Sequence, residues 1–179
     1  MCKTFFIMGL TCVGKDYFIE KACEMYPHLF GAVQVGKELR KRYPPEHFQG
    51  LGAAPATRKE AIDIYKEQWQ LNKVIGKKYI LVSGQPRERM QVEQVMAFAS
   101  GPVIWMTTSQ EIILERLKQR FKDDPSSMKL SLDRIVNDKV QLYDTIFELL
   151  TCGHIIKTLD VQYRRIEEVI NQIAHFGDF

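Results

Sequence analysis

Gly9 and Gly14 bracket four residues, and Lys15 follows at once, so the chain carries G-x-x-x-x-G-K. The glycines let backbone N–H groups curl around an anion with no Cβ in the way, and a following helix adds its N-terminal partial positive charge. Lys15 then reaches the outer oxygens of a phosphate chain as a point charge. The next residue is Asp16, where such loops usually have a Ser or Thr whose hydroxyl binds Mg2+. A carboxylate beside phosphates is repulsive unless a cation lies between them. Two readings stay open: Asp16 lies close to Mg2+, or it only complements the first turn of its helix.

The elements that position this loop follow from the hydrophobic pattern. Phe5-Phe6-Ile7-Met8 is a near-continuous apolar run, as expected of a parallel strand buried on both faces. Tyr17, Phe18, Ala22 and Met25 then keep helical spacing up to Pro27. Ala32 to Val35 predicts a second strand, and Gly36 turns the chain into a basic helix, Lys37 to Arg42. The Pro- and Gly-rich segment from Pro44 to Pro55 reads as a loop or loose arm. Thr57 with Glu60 makes a capping-box pattern for a helix that Gly76 closes. Tyr79 to Val82 and Val103 to Met106 predict further strands, separated by a helix with Val92, Val95, Met96 and Ala99 inward. Ser109 caps the next helix, Lys122 to Lys129 reads as a polar loop, and Leu130 to Leu150 as a long amphipathic helix. Ile155 and Ile156 begin a last strand, and Asp160 starts a final helix. Strands alternating with amphipathic helices predict one α/β domain, a parallel sheet covered on both sides.

With 179 residues, 45% hydrophobic, the chain is long enough for one domain with a full core. A net charge of +3 is too small to argue for nucleic acid and suits a site that neutralises several phosphates. Cys2, Cys12, Cys23 and Cys152 show neither pairing nor metal-ligand spacing, and His28, His47, His154 and His175 are scattered. With no signal-peptide pattern and no apolar run long enough for a span, the expectation is a cytoplasmic protein with no membrane partner. Cys12, within the loop, reads as an oxidisable thiol and not a nucleophile. Tyr65 and Trp69 read as core residues of their helix ahead of a base-stacking platform.

In open parallel sheets ligands bind beyond the carboxyl ends of the strands. Gly9 to Asp16, Gly36 to Arg40, Ser83 to Arg87 and Thr107-Thr108 all follow predicted strands, so Lys15, Arg40, Arg87, Arg116 and Arg120 can converge on one crevice. Arginine presents a planar fork to phosphate oxygens and keeps its charge at any working pH. Two phosphate-binding regions suggest phosphoryl transfer between two bound substrates, which needs alignment and positive charge more than covalent help.

In this order and spacing the motifs resemble those of the adenylate-kinase-like nucleoside monophosphate kinases, over nearly the whole chain. Gly9 to Lys15 matches that family's glycine loop, and Gly36 with Arg40 its monophosphate signature. Ser83-Gly84-Gln85-Pro86-Arg87 matches its Asp-Gly-x-Pro-Arg segment, Gln91 its base-reading glutamine, Arg116 and Arg120 the pair at the base of the lid, and Arg134 a later phosphate-contacting arginine. The resemblance implies a three-layer P-loop NTPase-type domain with a monophosphate-binding arm at 36–76 and a short lid at 121–131. It implies ATP held by Gly9, Thr11, Cys12, Val13, Gly14, Lys15, Asp16 and Tyr17 with Arg116 and Arg120. The acceptor would lie among Val35, Gly36, Arg40, Gly84, Arg87 and Gln91. Lys15, Arg87, Arg116, Arg120 and Arg134 would be catalytic, with Mg2+ near Asp16, in a monomer or small homo-oligomer.

Departures from the family loosen the assignment. Gly-Lys-Asp also occurs in the resembling phage deoxynucleoside monophosphate kinases and in the animal type of phosphomevalonate kinase. Ser83 replaces an aspartate that organises the waters around Mg2+, a role Asp16 would take over. Val35 replaces a threonine that contacts the acceptor base. The rivals are a kinase of another phosphorylated small metabolite and a nucleotide-binding regulatory module without turnover.

Overall fold

Five short runs rich in Phe, Ile, Val and Leu form the strands of one sheet in the computed structural model, which describes residues 2–43, 55–123 and 125–176. They are β1 (Lys3–Met8), β2 (Phe30–Gln34), β3 (Tyr79–Ser83), β4 (Val103–Thr107) and β5 (Ile156–Asp160), all parallel to their neighbours, in the order β2-β3-β1-β4-β5. Parallel strands need crossover connections, and helices supply them. The helices are α1 (Lys15–Met25), α2 (Val35–Arg42), α3 (Pro55–Val74), α4 (Val92–Phe98), α5 (Gln110–Arg120), α6 (Pro125–Thr151) and α7 (Ile166–Phe176).

Alternation along β1 sends its side chains into two separate cores. Phe5 and Ile7 join Leu81, Ile104 and Met106 beneath α1 and α7, where Phe18, Ile19, Val169 and Ile170 close the layer. Phe6 and Met8 join Ile80, Val82 and Val103 beneath α3, α4 and α6, with Ile64, Tyr65, Val95 and Leu149. The result is helix, sheet, helix. Full burial of one such side chain contributes about 1.5–3 kcal/mol, so β1, buried from Phe5 to Met8, and β3, buried from Tyr79 to Ser83, are firmly anchored.

Topology fixes where a ligand can sit. The chain moves outward from β1 to β2, returns to β3 beside β1, then crosses to β4 on the other flank. The direction of winding reverses at β1, so its carboxyl end opens onto a crevice.

Several element boundaries differ from the sequence expectation, and proline explains two of them. α6 begins at Pro125, so most of the polar stretch 122–129 is helix and the connection from α5 is only a few residues long. α3 begins at Pro55, ahead of the Thr57 capping box. Proline lacks the N–H that a first turn leaves unused and brings a helical φ, so it starts helices readily. Glu60 pairs instead with Arg42 Nη1 at 3.2 Å and accepts from the Tyr43 hydroxyl, tying α2 to α3. Asp160 ends β5; its carboxylate accepts from Gln162 N at 2.9 Å in a side-chain turn, and α7 starts only at Ile166. Residues 44–54, which carry nearly all the expected Pro- and Gly-rich arm, lie outside the described residues. No described helix is long and apolar enough to cross a membrane.

Candidate functional site

The loop after β1 takes a conformation that ordinary residues resist. Gly9, Cys12 and Gly14 all have positive φ, at 143°, 63° and 112°. A Cβ on Gly9 would lie 2.4 Å from the Met106 carbonyl oxygen, so that glycine is required twice over, by its φ and by the close passage of β4. No side chain caps α1, which leaves its opening amides directed toward the turn. Lys15 Nζ reaches back to donate to the carbonyls of Gly9 and Leu10, both at 2.7 Å. From α5, Arg116 Nη1 donates to the carbonyls of Cys12 at 3.1 Å and Val13 at 2.9 Å. The Arg116 side chain thus braces the loop from outside.

Three further elements converge on this turn. A cleft of about 160 Å³ is walled by Gly9, Thr11, Cys12, Lys15 and Asp16 of the loop, Gly36 and Arg40 of α2, and Ser83, Gly84 and Arg87 after β3. Arg120 reaches it from α5, and Gln141 and Leu142 close it from α6. Within this lining Ser83 Oγ donates to Asp16 Oδ1 at 3.5 Å, and Arg40 Nη2 lies 3.6 Å from Asp16 Oδ2. Burial lowers the pKa of the Arg40 guanidinium from its ordinary value; Asp16 opposes this shift and the nearby Arg120 adds to it. Arginine starts so high that it keeps its proton. The cleft therefore gathers several cations around one carboxylate, the electrostatics of a polyanion site.

A second cavity, about 530 Å³, opens on the other side of the loop. Cys12, Lys15, Asp16 and Arg120 border both spaces, while Val13, Gly14, Tyr17, Arg116, Val161 and Ile166 complete the second. That volume is within the range of small-molecule sites, and Val161 and Ile166 give it an apolar end. A molecule that spans the two spaces passes these four shared residues.

Not every residue expected at the site reaches it. Val35 is 1% exposed, belongs to the core beneath α3 and does not line the cleft. Gln91, expected to face an acceptor base, is buried, and its Oε1 accepts from the backbone N–H of Arg87 at 3.0 Å and of Glu88 at 3.4 Å. It forms a capping box with Glu88 around the 3-10 turn Arg89–Gln91. The Arg134 side chain lies outside the described residues. Tyr65 and Trp69 are core: Tyr65 packs on Phe6 and Phe98, and Trp69 Nε1 donates to Thr4 Oγ1 at 3.0 Å.

Other contributors were not singled out from the sequence. Thr145, fully buried, donates to Gln141 O at 2.7 Å and lies 3.3 Å from Arg87 O. Arg89 Nε pairs with Glu148 Oε2 at 2.7 Å. Together they fasten the Arg87 turn to α6. Glu88-x-x-Gln91 carried a legible signal, the capping-box spacing; Thr145 carried none beyond its place on the buried face of a helix. Among the described residues, no three His, Cys, Asp or Glu side chains group to hold a metal ion. Asp16 and Ser83 offer a hard oxygen pair, which suits a cation that arrives with most of its own ligands.

A scan against protein-family models finds no match, and a search of curated proteins finds no relative.

Proposed function

We propose that this chain is a P-loop kinase that moves the γ-phosphoryl group of ATP, as its Mg2+ complex, onto a phosphate group of a small acceptor, with a nucleoside or deoxynucleoside monophosphate as the first candidate. One observation carries the reading: Lys15, Arg40, Arg87 and Arg120, from four different elements, wall a single cleft around the Asp16–Ser83 pair. Phosphoryl transfer asks for this kind of convergence, because the barrier is lowered by aligning donor and acceptor and by cations facing the equatorial oxygens. The donor would lie in the larger cavity with its phosphates along the glycine loop, and the acceptor phosphate between Arg40 and Arg87. Lys15 and Arg120, which border both spaces, would meet the group in transit. Asp16 and Ser83 would hold Mg2+ through its water shell, and the ion would supply positive charge that offsets the Asp16 carboxylate beside the donor phosphates.

A specific observation favours a second acceptor class. The two positions expected to read a base, Val35 and Gln91, are occupied by core packing and by loop amides. An acceptor that presents a phosphate but no nucleobase fits the cleft equally well. A panel of nucleoside and deoxynucleoside monophosphates and phosphorylated small metabolites, each with ATP and Mg2+ and read out as ADP formed, separates the possibilities. Product from one or two bases supports the nucleotide kinase, and product only from a metabolite supports the second reading. Tight ATP binding with no product anywhere would leave a nucleotide-binding module.

A further inference from the structure

The outward side of α6 carries a second apolar face. Leu149 and Thr145 are fully buried toward the sheet. Val136, Val140, Tyr143, Phe147 and Leu150 are each between 55% and 67% exposed, and Tyr143 also rests one side of its ring on Trp105 of β4, with centroids 6.2 Å apart. Their spacing of four, three, four and three residues matches the apolar seam of a two-helix pair over two heptads. Ile155, just beyond the helix, is also largely exposed.

Charge identifies the occupant and its direction. Lys139 flanks the seam on one side and Asp144 on the other, both exposed and neither in an ion pair among the described residues. In a parallel pair of identical helices, the residue before one seam position faces the residue five places later on the partner. Lys139 of each copy then meets Asp144 of the other, twice by symmetry. An antiparallel overlay of the same seam sets Asp144 against its own copy, which is repulsive. We propose that this face of α6 docks a second copy of the chain through a parallel, two-fold symmetric helix pair. The seam is isologous, so the contact closes as a dimer and does not propagate. This inference is independent of the catalytic reading, because the seam residues wall neither cavity.

Sedimentation velocity on the full chain, from about 1 to 100 µM, tests it. A species of twice the 20.8 kDa chain mass is expected. Phe147→Glu should raise the dimer dissociation constant about thirtyfold or more, as for a central aromatic anchor. Circular dichroism should show it folded, since Phe147 is already largely exposed in one copy. Lys139→Glu and Asp144→Lys should each weaken the dimer, and the double variant should restore it. A wild-type monomer at 100 µM, or a dimer indifferent to Phe147→Glu, overturns the proposal. A dimer weakened by Phe147→Glu, with charge variants that neither weaken nor rescue, overturns the parallel pairing.

Discussion

Ser83 Oγ sits 3.5 Å from Asp16 Oδ1, and this contact joins the end of β3 to the first turn of α1. It brings a carboxylate and a hydroxyl together beside Lys15, with the carboxylate on the loop side of the pair. Asp16→Asn should lower turnover and metal affinity about 10- to 100-fold, the usual cost of losing a group that orients a metal's surroundings. The Mg2+ concentration for half-maximal rate should rise in step, with a smaller rise for Ser83→Ala. Full turnover of Asp16→Ser at low Mg2+ would show that the carboxylate plays no such part.

Arg87→Ala should lower kcat about 10²- to 10³-fold, the loss expected when one preorganised donor to developing charge is removed. Thermal unfolding should move little, because surface truncations away from the core rarely exceed about 1 kcal/mol. Unchanged steady-state kinetics would remove Arg87 from the site.

The Gln91 carbonyl oxygen holds the Arg87 and Glu88 amides, and under the proposed function that makes it a positioning residue. Gln91→Leu should therefore reduce kcat for every acceptor by a similar factor, without altering their rank order. A changed preference among acceptors would mean that the side chain reads the acceptor directly.

Gly9→Ala and Gly14→Ala separate two kinds of constraint. Both positions have positive φ, which costs a side chain of order 1–3 kcal/mol. Gly9 adds a collision with the Met106 carbonyl, whereas the nearest atom to a Cβ on Gly14 is Arg116 Nη1 at 3.6 Å. Chemical denaturation should find Gly9→Ala clearly the less stable of the two.

Burial pushes the Cys23 thiol up, only partly offset by the Lys77 ammonium. Its neutral form is favoured in the fold, so that contribution to stability is complete below the ordinary thiol range and is lost as pH rises through the raised value. Iodoacetamide near pH 8 with mass spectrometry should label exposed Cys152 well before Cys23. Equal rates would mean that the α1 face is open.

Much of this molecule is written locally. The Phe5–Met8 run, the glycine spacing before Lys15 and the Ser109 cap, whose hydroxyl accepts from Ile112 N, are set by neighbours a few residues apart. Strand identity, loop geometry and most helix faces follow from such short-range rules. The extent of α3 and α6 did not, because proline marks a break and a helix start with the same letter. What only the tertiary structure decided is which functional groups face the cleft. Arg40, Arg87 and Arg120 gather around Asp16 because strand order brings β3 to one side of β1 and β4 to the other. Gln91 and Val35 turn elsewhere because buried amides and a core cavity claimed them first. An unpaired amide or an unfilled core costs more than a ligand contact returns, and those competing claims arise only once distant parts of the chain pack together.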